Sequence, residues 1–165
     1  MEVRTGGLDY ATMSKVAAAG SAGILAGALS FVSFAETRTF LELVKSDDDP
    51  AYFRRFFRLW WPHGREFMVP LITLSTIAHA AASSLSGDLI WLVSGGLVFS
   101  IAPFTALAMS EDIENIKNED GAHKVPISTS RFCHLQHVRL GLASVAFVLA
   151  LFGITKEKTK LVVTK

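Results

Sequence analysis

Charged residues are few in this chain, and long stretches contain none. Asp, Glu, Lys and Arg make up 19% of the 165 residues, whereas soluble globular domains contain about 25%. Residues 16–35, 67–87 and 89–110 carry no charged side chain. A helix of about 20 apolar residues crosses the roughly 30 Å hydrocarbon layer of a bilayer. The scarcity of charge therefore argues against a soluble domain and for an integral membrane protein with the lipid bilayer as its surroundings.

The sequence also contains little cysteine and has almost no net positive charge. Cys133 is the single cysteine, which excludes an internal disulfide framework, and we interpret it as a small packed hydrophobic residue rather than a nucleophile or ligand. The formal net charge is +1, and no segment resembles a basic DNA-binding face. We therefore expect no nucleic-acid partner.

The apolar stretches predict the fold. We expect an all-α integral membrane protein, an antiparallel four-helix bundle with helices near 14–35, 67–87, 89–110 and 131–153, forming one transmembrane domain across residues 1–165. The link between the second and third helices is about two residues long, Gly87 and Asp88, so these helices should form a tight hairpin. The membrane compartment stays open.

The first apolar stretch has two features that need interpretation. It ends in Ser33-Phe34-Ala35, which is similar to a signal-peptide cleavage site, but it is longer than a signal h-region, so we favour a retained helix. Gly23 and Gly27 form a G-x-x-x-G pair that allows close approach of another helix. That approach can occur inside the bundle, in a homo-oligomer or in a larger membrane complex.

A short amphipathic helix is expected between the first and second spans. Asp47 and Pro50 form an N-cap followed by proline at the first helical position. In residues 51–61, arginines occupy one side of the helix and aromatic residues the other. That pattern predicts an interfacial helix in the headgroup plane or a cap packed over the mouth of the bundle.

The start of the fourth helix carries the polar residues that most need explanation. His134, His137 and Arg139 precede residues 140–153, none of which is charged, and ionisable groups at membrane depth point to function. The expected connectivity brings further polar residues to the same side of the bundle, which we call the loop side. They are Glu36, His63, Glu66, Thr105, Glu111 and Asp112.

Helical geometry separates these residues into two sets. At 100° per residue, His134 and His137 share one face, whereas Arg139 points about 160° away from His137. We therefore expect the two histidines to face a common cavity with the carboxylates. Arg139 needs another partner, either Glu111, Asp112 or a ligand anion, or else it extends to the membrane interface.

A metal ion is an open alternative for the histidines. Imidazole and carboxylate groups from facing helices bind metals in helical bundles, and the ligands here would be His134, His137 and Glu36. A bis-histidine haem is not expected. His79 lies about 20 Å into its span and His137 only about 9 Å into its own, so their depths differ.

Two segments resemble the anthrone oxygenase-like family of small four-helix membrane proteins. They are IAPFTALAM (101–109) and FCHLQHVRLGLASVAFVLALFG (132–153). The family has a Pro-aromatic-Thr signature at the end of the third helix, matched by Pro103, Phe104 and Thr105. Its fourth helix begins with an aromatic residue followed by a Leu-His-x-x-Arg-like sequence, to which Phe132, Gln136, His137, Val138 and Arg139 correspond here. Trp61, Gly64 and Pro70 match the approach to the second helix.

The resemblance implies a noranthrone monooxygenase type of activity, the oxygenation of a polyketide anthrone to an anthraquinone. Dioxygen would be the co-substrate, with no established flavin or haem. His137 or His134 would act as the base, and Arg139 or Thr105 would stabilise the phenolate or carbonyl oxygen. Glu36, His63, Glu66 and Phe104 would complete the site for the lipophilic small molecule.

Two other functions stay open from the residues alone. A structural or accessory subunit should have a polar patch in which every group is paired and no cavity. A small-molecule carrier should have its polar groups near the bilayer midplane. An enzyme should have an open pocket of about 300 Å³ or more lined by aromatic residues.

Overall fold

Helices make up nearly all of the chain that the structure describes. The computed structural model describes residues 9–46, 51–118 and 123–163. The first helix, α1, leads through one π-helical turn (Val32–Glu36) directly into α2. The helices are α1 (Tyr10–Phe31), α2 (Thr37–Ser46), α3 (Ala51–Ser86), α4 (Leu89–Ala108), α5 (Ser110–Lys117) and α6 (Val125–Val163).

Four helical segments are long and apolar enough to cross a membrane. They are Tyr10–Lys45, Ala51–Ser86, Leu89–Ala108 and Val125–Lys156. Large apolar side chains point outward from them, among them Leu74, Phe99 and Leu107, the last of which is 85% exposed. Such an exterior suits hydrocarbon rather than water. The prediction of an all-α chain with four helices long and apolar enough to cross a membrane is confirmed.

The four long helices pack around a shared apolar core. α1 and α4 each contact both α3 and α6. Leu25, Leu29 and Val98 are fully buried in this core, and Ile72 is 5% exposed. Small residues of α6, such as Ala143 and Ala146, face the same core. Because these residues are small, α6 can approach its neighbours closely.

The expected interfacial helix is continuous with the second span. Residues 51–61 form the first turns of α3, which continues through Pro62 and Pro70 to Ser86. Each proline removes only one backbone hydrogen bond. Phe53 and Phe57, both fully buried, hold the first turns in the packed structure. A headgroup position for residues 51–61 stays a prediction, and the expected cap at Asp47 and Pro50 lies outside the described residues.

The link between α3 and α4 is as short as the sequence indicates. Gly87 adopts a φ of 68°, which only glycine adopts without strain. Asp88 caps α4, since its carboxylate accepts a hydrogen bond from the Ile90 amide at 3.2 Å. Farther along the pair, a Cβ placed on Gly95 would lie 2.7 Å from the Cβ of His79. The two helices therefore touch at backbone distance near these residues.

The short helix α5 covers the loop-side end of the four long helices. Ile113 and Ile116 bury their side chains against the aromatic residues of α2 and α3. The Arg58 guanidinium donates to the Lys117 carbonyl with Nε at 2.7 Å, and Arg54 donates to the Asn118 carbonyl at 3.2 Å. These carbonyls lie at the C-terminal end of α5, where cations are favourable.

The two glycines of the G-x-x-x-G pair differ in how closely another helix packs against them. A Cβ on Gly23 would lie 2.9 Å from the Phe147 ring of α6. No heavy atom outside the local backbone lies within 4 Å of the corresponding position on Gly27. Gly23 therefore serves the packing of α1 on α6. Homo-oligomer formation stays a prediction.

Candidate ligand cavity

A cavity of about 410 Å³ lies on the loop side, among α1, α3, α4, α5 and α6. Its inner wall is formed by buried residues: Leu29 of α1, Met68 and Ile72 of α3, and Gln136 and Arg139 of α6. Apolar side chains therefore form most of this wall, and the only charged group on the inner wall is Arg139. Cavities of this size are typical of small-molecule sites.

Arg139 is the central polar group of the cavity. Its side chain is 5% exposed, and one terminal nitrogen donates to the Gln136 side-chain oxygen at 2.8 Å. Its buried Nε has no hydrogen-bond partner among the described residues. No carboxylate in the described part of the chain pairs with it, so the predicted partners Glu111 and Asp112 do not fill that role. A buried guanidinium in this state favours a negatively charged or strongly accepting ligand atom.

Gln136 is a cavity residue to which the sequence analysis gave no role. It is 1% exposed, and its backbone carbonyl accepts a hydrogen bond from the Ser33 hydroxyl at 3.3 Å. Ser33 lies in the π-helical turn, so this irregular turn contacts α6 directly behind the cavity. The i, i+3 spacing of Gln136 and Arg139 on one helix face was the available signal.

Thr105 lines the cavity from α4, but its hydroxyl hydrogen is not free for the predicted stabilisation of a phenolate or carbonyl oxygen. Its hydroxyl donates to the Ile101 carbonyl at 2.7 Å, which leaves the hydroxyl oxygen available as an acceptor. Phe104, its neighbour in sequence, does not line the cavity and packs instead against the aromatic residues beside α5. The Pro-aromatic-Thr segment thus contributes one polar atom to the cavity and one side chain to its support.

Aromatic residues form the outer part of the cavity. Trp60 and Trp61 line it, and Trp61 stacks on Phe57 with a ring separation of 6.1 Å. The Trp60 indole donates to one Glu36 oxygen at 3.1 Å. The other Glu36 oxygen is buried and has no hydrogen-bond partner among the described residues. Glu36 therefore positions a cavity-lining tryptophan, although it does not line the cavity itself.

His134 and His137 lie outside the cavity, contrary to the sequence-based expectation. Both are exposed, and their Nδ1 atoms bond to carbonyls one turn earlier on α6, Ser130 at 2.8 Å and Cys133 at 2.9 Å. The sequence predicted correctly that Arg139 and His137 lie on opposite faces of α6. It assigned the wrong face to the cavity, because Arg139 lines the cavity and His137 faces outward. The guanidinium donates to the Gln136 amide oxygen on the inner face, and the histidines lie on the outer face.

The remaining predicted residues are also dispersed. His63 and Glu66 form an exposed pair with a 3.6 Å separation of Nδ1 and Oε2, outside the cavity. Cys133 is buried, with its Sγ 3.7 Å from the Thr37 carbonyl. Within residues 9–46, 51–118 and 123–163, no three His, Cys, Asp or Glu side chains come together as a metal site would require. His134, His137 and Glu36 are therefore not gathered around one point.

No protein-family model, curated protein or solved structure matches the chain. The cavity and its arginine are therefore the basis for any functional conclusion.

Proposed function

We propose that the chain is a multi-pass membrane protein, an antiparallel four-helix bundle whose cavity binds a flat, lipophilic aromatic molecule with an acidic oxygen. We further propose an anthrone oxygenase-like activity on that molecule, with dioxygen as co-substrate. One observation carries the proposal: the buried Arg139 guanidinium lines a mostly apolar cavity and pairs with no carboxylate of the described residues.

The cavity distinguishes this proposal from a purely structural role. A structural subunit would pair each polar group and leave no space, whereas about 410 Å³ is open here. Trp60 and Trp61 offer aromatic faces for planar rings. Arg139 offers a charge-assisted hydrogen bond to a phenolate or enolate oxygen, and such bonds are about twice as strong as neutral ones.

The proposed reaction converts an anthrone CH₂ group into a carbonyl. Loss of a proton from this carbon gives an enolate, whose oxygen Arg139 would stabilise. The carbanion adds dioxygen and a proton to form a hydroperoxide, which loses water to give the quinone. Each turnover consumes one dioxygen and releases one water, and the substrate itself supplies the electrons.

Proton removal falls to a group other than the predicted histidines. Glu114 of α5 supplies a carboxylate to the cavity lining, and its side chain is exposed at the outer edge of the cavity. Lys117, one turn later on α5, has its Nζ 3.7 Å from a Glu114 oxygen. We assign Glu114 the role of proton acceptor from the bound substrate.

A second candidate function is binding or carriage of the same molecule without chemistry. The observation in its favour is that none of the described histidines lines the cavity, and imidazole is the usual catalytic base near neutral pH. The lipophilic ligand and the role of Arg139 are common to both candidates. They differ only in turnover.

The test uses the purified protein in lipid nanodiscs with an emodin-type anthrone. Dioxygen consumption and quinone absorbance are measured for the wild type, Arg139→Gln and His137→Ala, against protein-free nanodiscs because anthrones oxidise slowly in air. We expect turnover above that background, its loss in Arg139→Gln and its retention in His137→Ala. Saturable binding without turnover would support the second candidate, and the absence of both would overturn the proposal.

A further inference from the structure

The cavity opens sideways, between α3 and the continuous α4–α5 segment. Four residues spaced four apart, Ala102, Ala106, Ser110 and Glu114, line the cavity and are also exposed on the outer surface. On the facing helix, Arg65 and Val69 do the same. A residue that is both cavity-lining and exposed lies at an opening. We call the gap between these two rows the lateral opening.

The sequence explains why the helices separate there. His79 and Gly95, which touch at backbone distance, each lie eight residues from Gly87. Both helices rise by the same amount per residue away from Gly87. Ile72 therefore lies level with Ala102, and Met68 lies level with Ala106. At these two levels, the residue of α4 beside the gap is an alanine, whose side chain is a single methyl group. The side chains of α4 are therefore too small to fill the gap that α3 leaves.

The surface around the lateral opening is graded in polarity. Val69, Ala102 and Ala106 form its deeper part, beside exposed Phe99 and Leu107. Arg65 and Glu114 form its loop-side part. A lipophilic molecule with one acidic group would lie in a bilayer in the same graded way, with its rings in the hydrocarbon and its polar group toward the headgroups.

The helix α5 covers part of the loop side of the cavity. Met109 and Ile116 are fully buried beneath this helix, and Arg54 and Arg58 tie its C-terminal end to α3. At its other end, Asp112 and Arg131 form an ion pair with Oδ2 and Nε 3.5 Å apart. The lateral opening therefore runs from the apolar surface at Ala102 to the exposed polar edge at Glu114.

We propose that the ligand enters the cavity laterally from the bilayer, through the gap between α3 and α4, with Ala102 and Ala106 as the residues that keep it open. The inference rests on the proposed lipophilic ligand for its biological meaning. The route itself can be tested without that ligand.

The test traps a cysteine inside the cavity. Met68→Cys is made in a Cys133→Ala background and placed in lipid vesicles, so that the only thiol lies on the inner wall. Labelling is followed with N-pyrenylmaleimide, which partitions into the hydrocarbon, and with a sulfonated maleimide confined to water. After each rate is normalised to that of a bilayer-exposed or water-exposed reference cysteine, we expect the lipophilic reagent to react at least roughly tenfold faster.

Closing the gap should then slow the lipophilic reagent. Ala106→Phe, or the smaller Ala102→Leu if the first variant misfolds, should reduce that rate by roughly tenfold or more, because entry would require the helices to move apart. Ala80→Phe, an exposed residue of α3 away from the cavity, is the matched control and should leave the rate unchanged. Equal normalised rates for the two reagents, or an unchanged rate in both filled variants, would overturn the lateral route. Failure of the anthrone to bind would overturn only the proposed ligand.

Discussion

Arg139 and Gln136 lie one turn apart on α6 and are joined by a hydrogen bond of 2.8 Å from the guanidinium to the amide oxygen. Both side chains are buried, at 5% and 1% exposure. The bond satisfies the Gln136 oxygen but leaves the positive charge of Arg139 without an anion among the described residues. The pair therefore orients a charge toward the cavity rather than neutralising it.

This arrangement predicts that the effects of an Arg139 substitution on ligand binding and on stability can be separated by a second substitution. Arg139→Met should weaken binding of an acidic phenol by tenfold or more, since a hydrogen bond to a charged group contributes about 1.5–3 kcal/mol. The same variant leaves the Gln136 oxygen buried and unpaired, at a cost of about 1–3 kcal/mol. Adding Gln136→Leu should recover that stability without recovering binding.

The measurements are ligand titration by tryptophan fluorescence and thermal unfolding in detergent. Arg55→Met, at an exposed position of α3 that does not line the cavity, is the matched control and should change both quantities little. If the double variant bound the phenol as tightly as the wild type does, the role of Arg139 in the cavity would be wrong.

The histidines give a prediction opposite to the one drawn from sequence. His134→Ala and His137→Ala should leave ligand binding within about twofold of the wild type, because both side chains point outward and bond to their own helix. His137 also contacts exposed Phe34, with ring centroids 5.8 Å apart. A titration that showed a loss of tenfold or more for either variant would place the histidine in the site after all.

Sequence periodicity was sufficient to predict the long helices but not to predict which residues line the cavity. The uncharged lengths of 67–87 and 89–110 identify two spans because length and composition are local properties. The continuity of α3 through Pro62 depends on Phe53 and Phe57 being buried by other helices, which is a tertiary effect. Helical angles likewise separated Arg139 from His137 correctly. Which face pointed inward depended on the Gln136 contact and on the space left by Ala102 and Ala106.

The close contact of α3 and α4 predicts a difference between two adjacent glycines. Gly95→Ala would place a methyl group 2.7 Å from the Cβ of His79, so the helices must shift at a cost of about 1–3 kcal/mol. Gly96→Ala meets no heavy atom within 4 Å and should stabilise α4 by up to about 1 kcal/mol through helix propensity. Unfolding temperatures in the same detergent compare the two. Equal temperatures would show that the helices are not in contact at Gly95.

Asp112, on α5 outside the membrane-spanning segments, predicts a pH dependence of stability. Burial raises the pKa of its carboxyl, and the Arg131 charge and a Ser128 hydrogen bond offset this only in part. The folded protein therefore holds this proton more tightly than the unfolded chain does. The associated stability is present below the ordinary aspartate pKa and is lost as the pH rises through the raised value in the folded state.

Replacing the carboxyl by an amide tests this directly. Asp112→Asn should raise the unfolding temperature at about pH 7 and flatten its dependence between about pH 4 and pH 7. Glu42→Gln removes the same charge from an exposed residue of α2, whose surface ion pair with Arg38 contributes little to stability, and is the control for a general charge effect. The assignment fails if Asp112→Asn melts below the wild type at pH 7 and above it at pH 4, since that order requires a pKa lowered by folding.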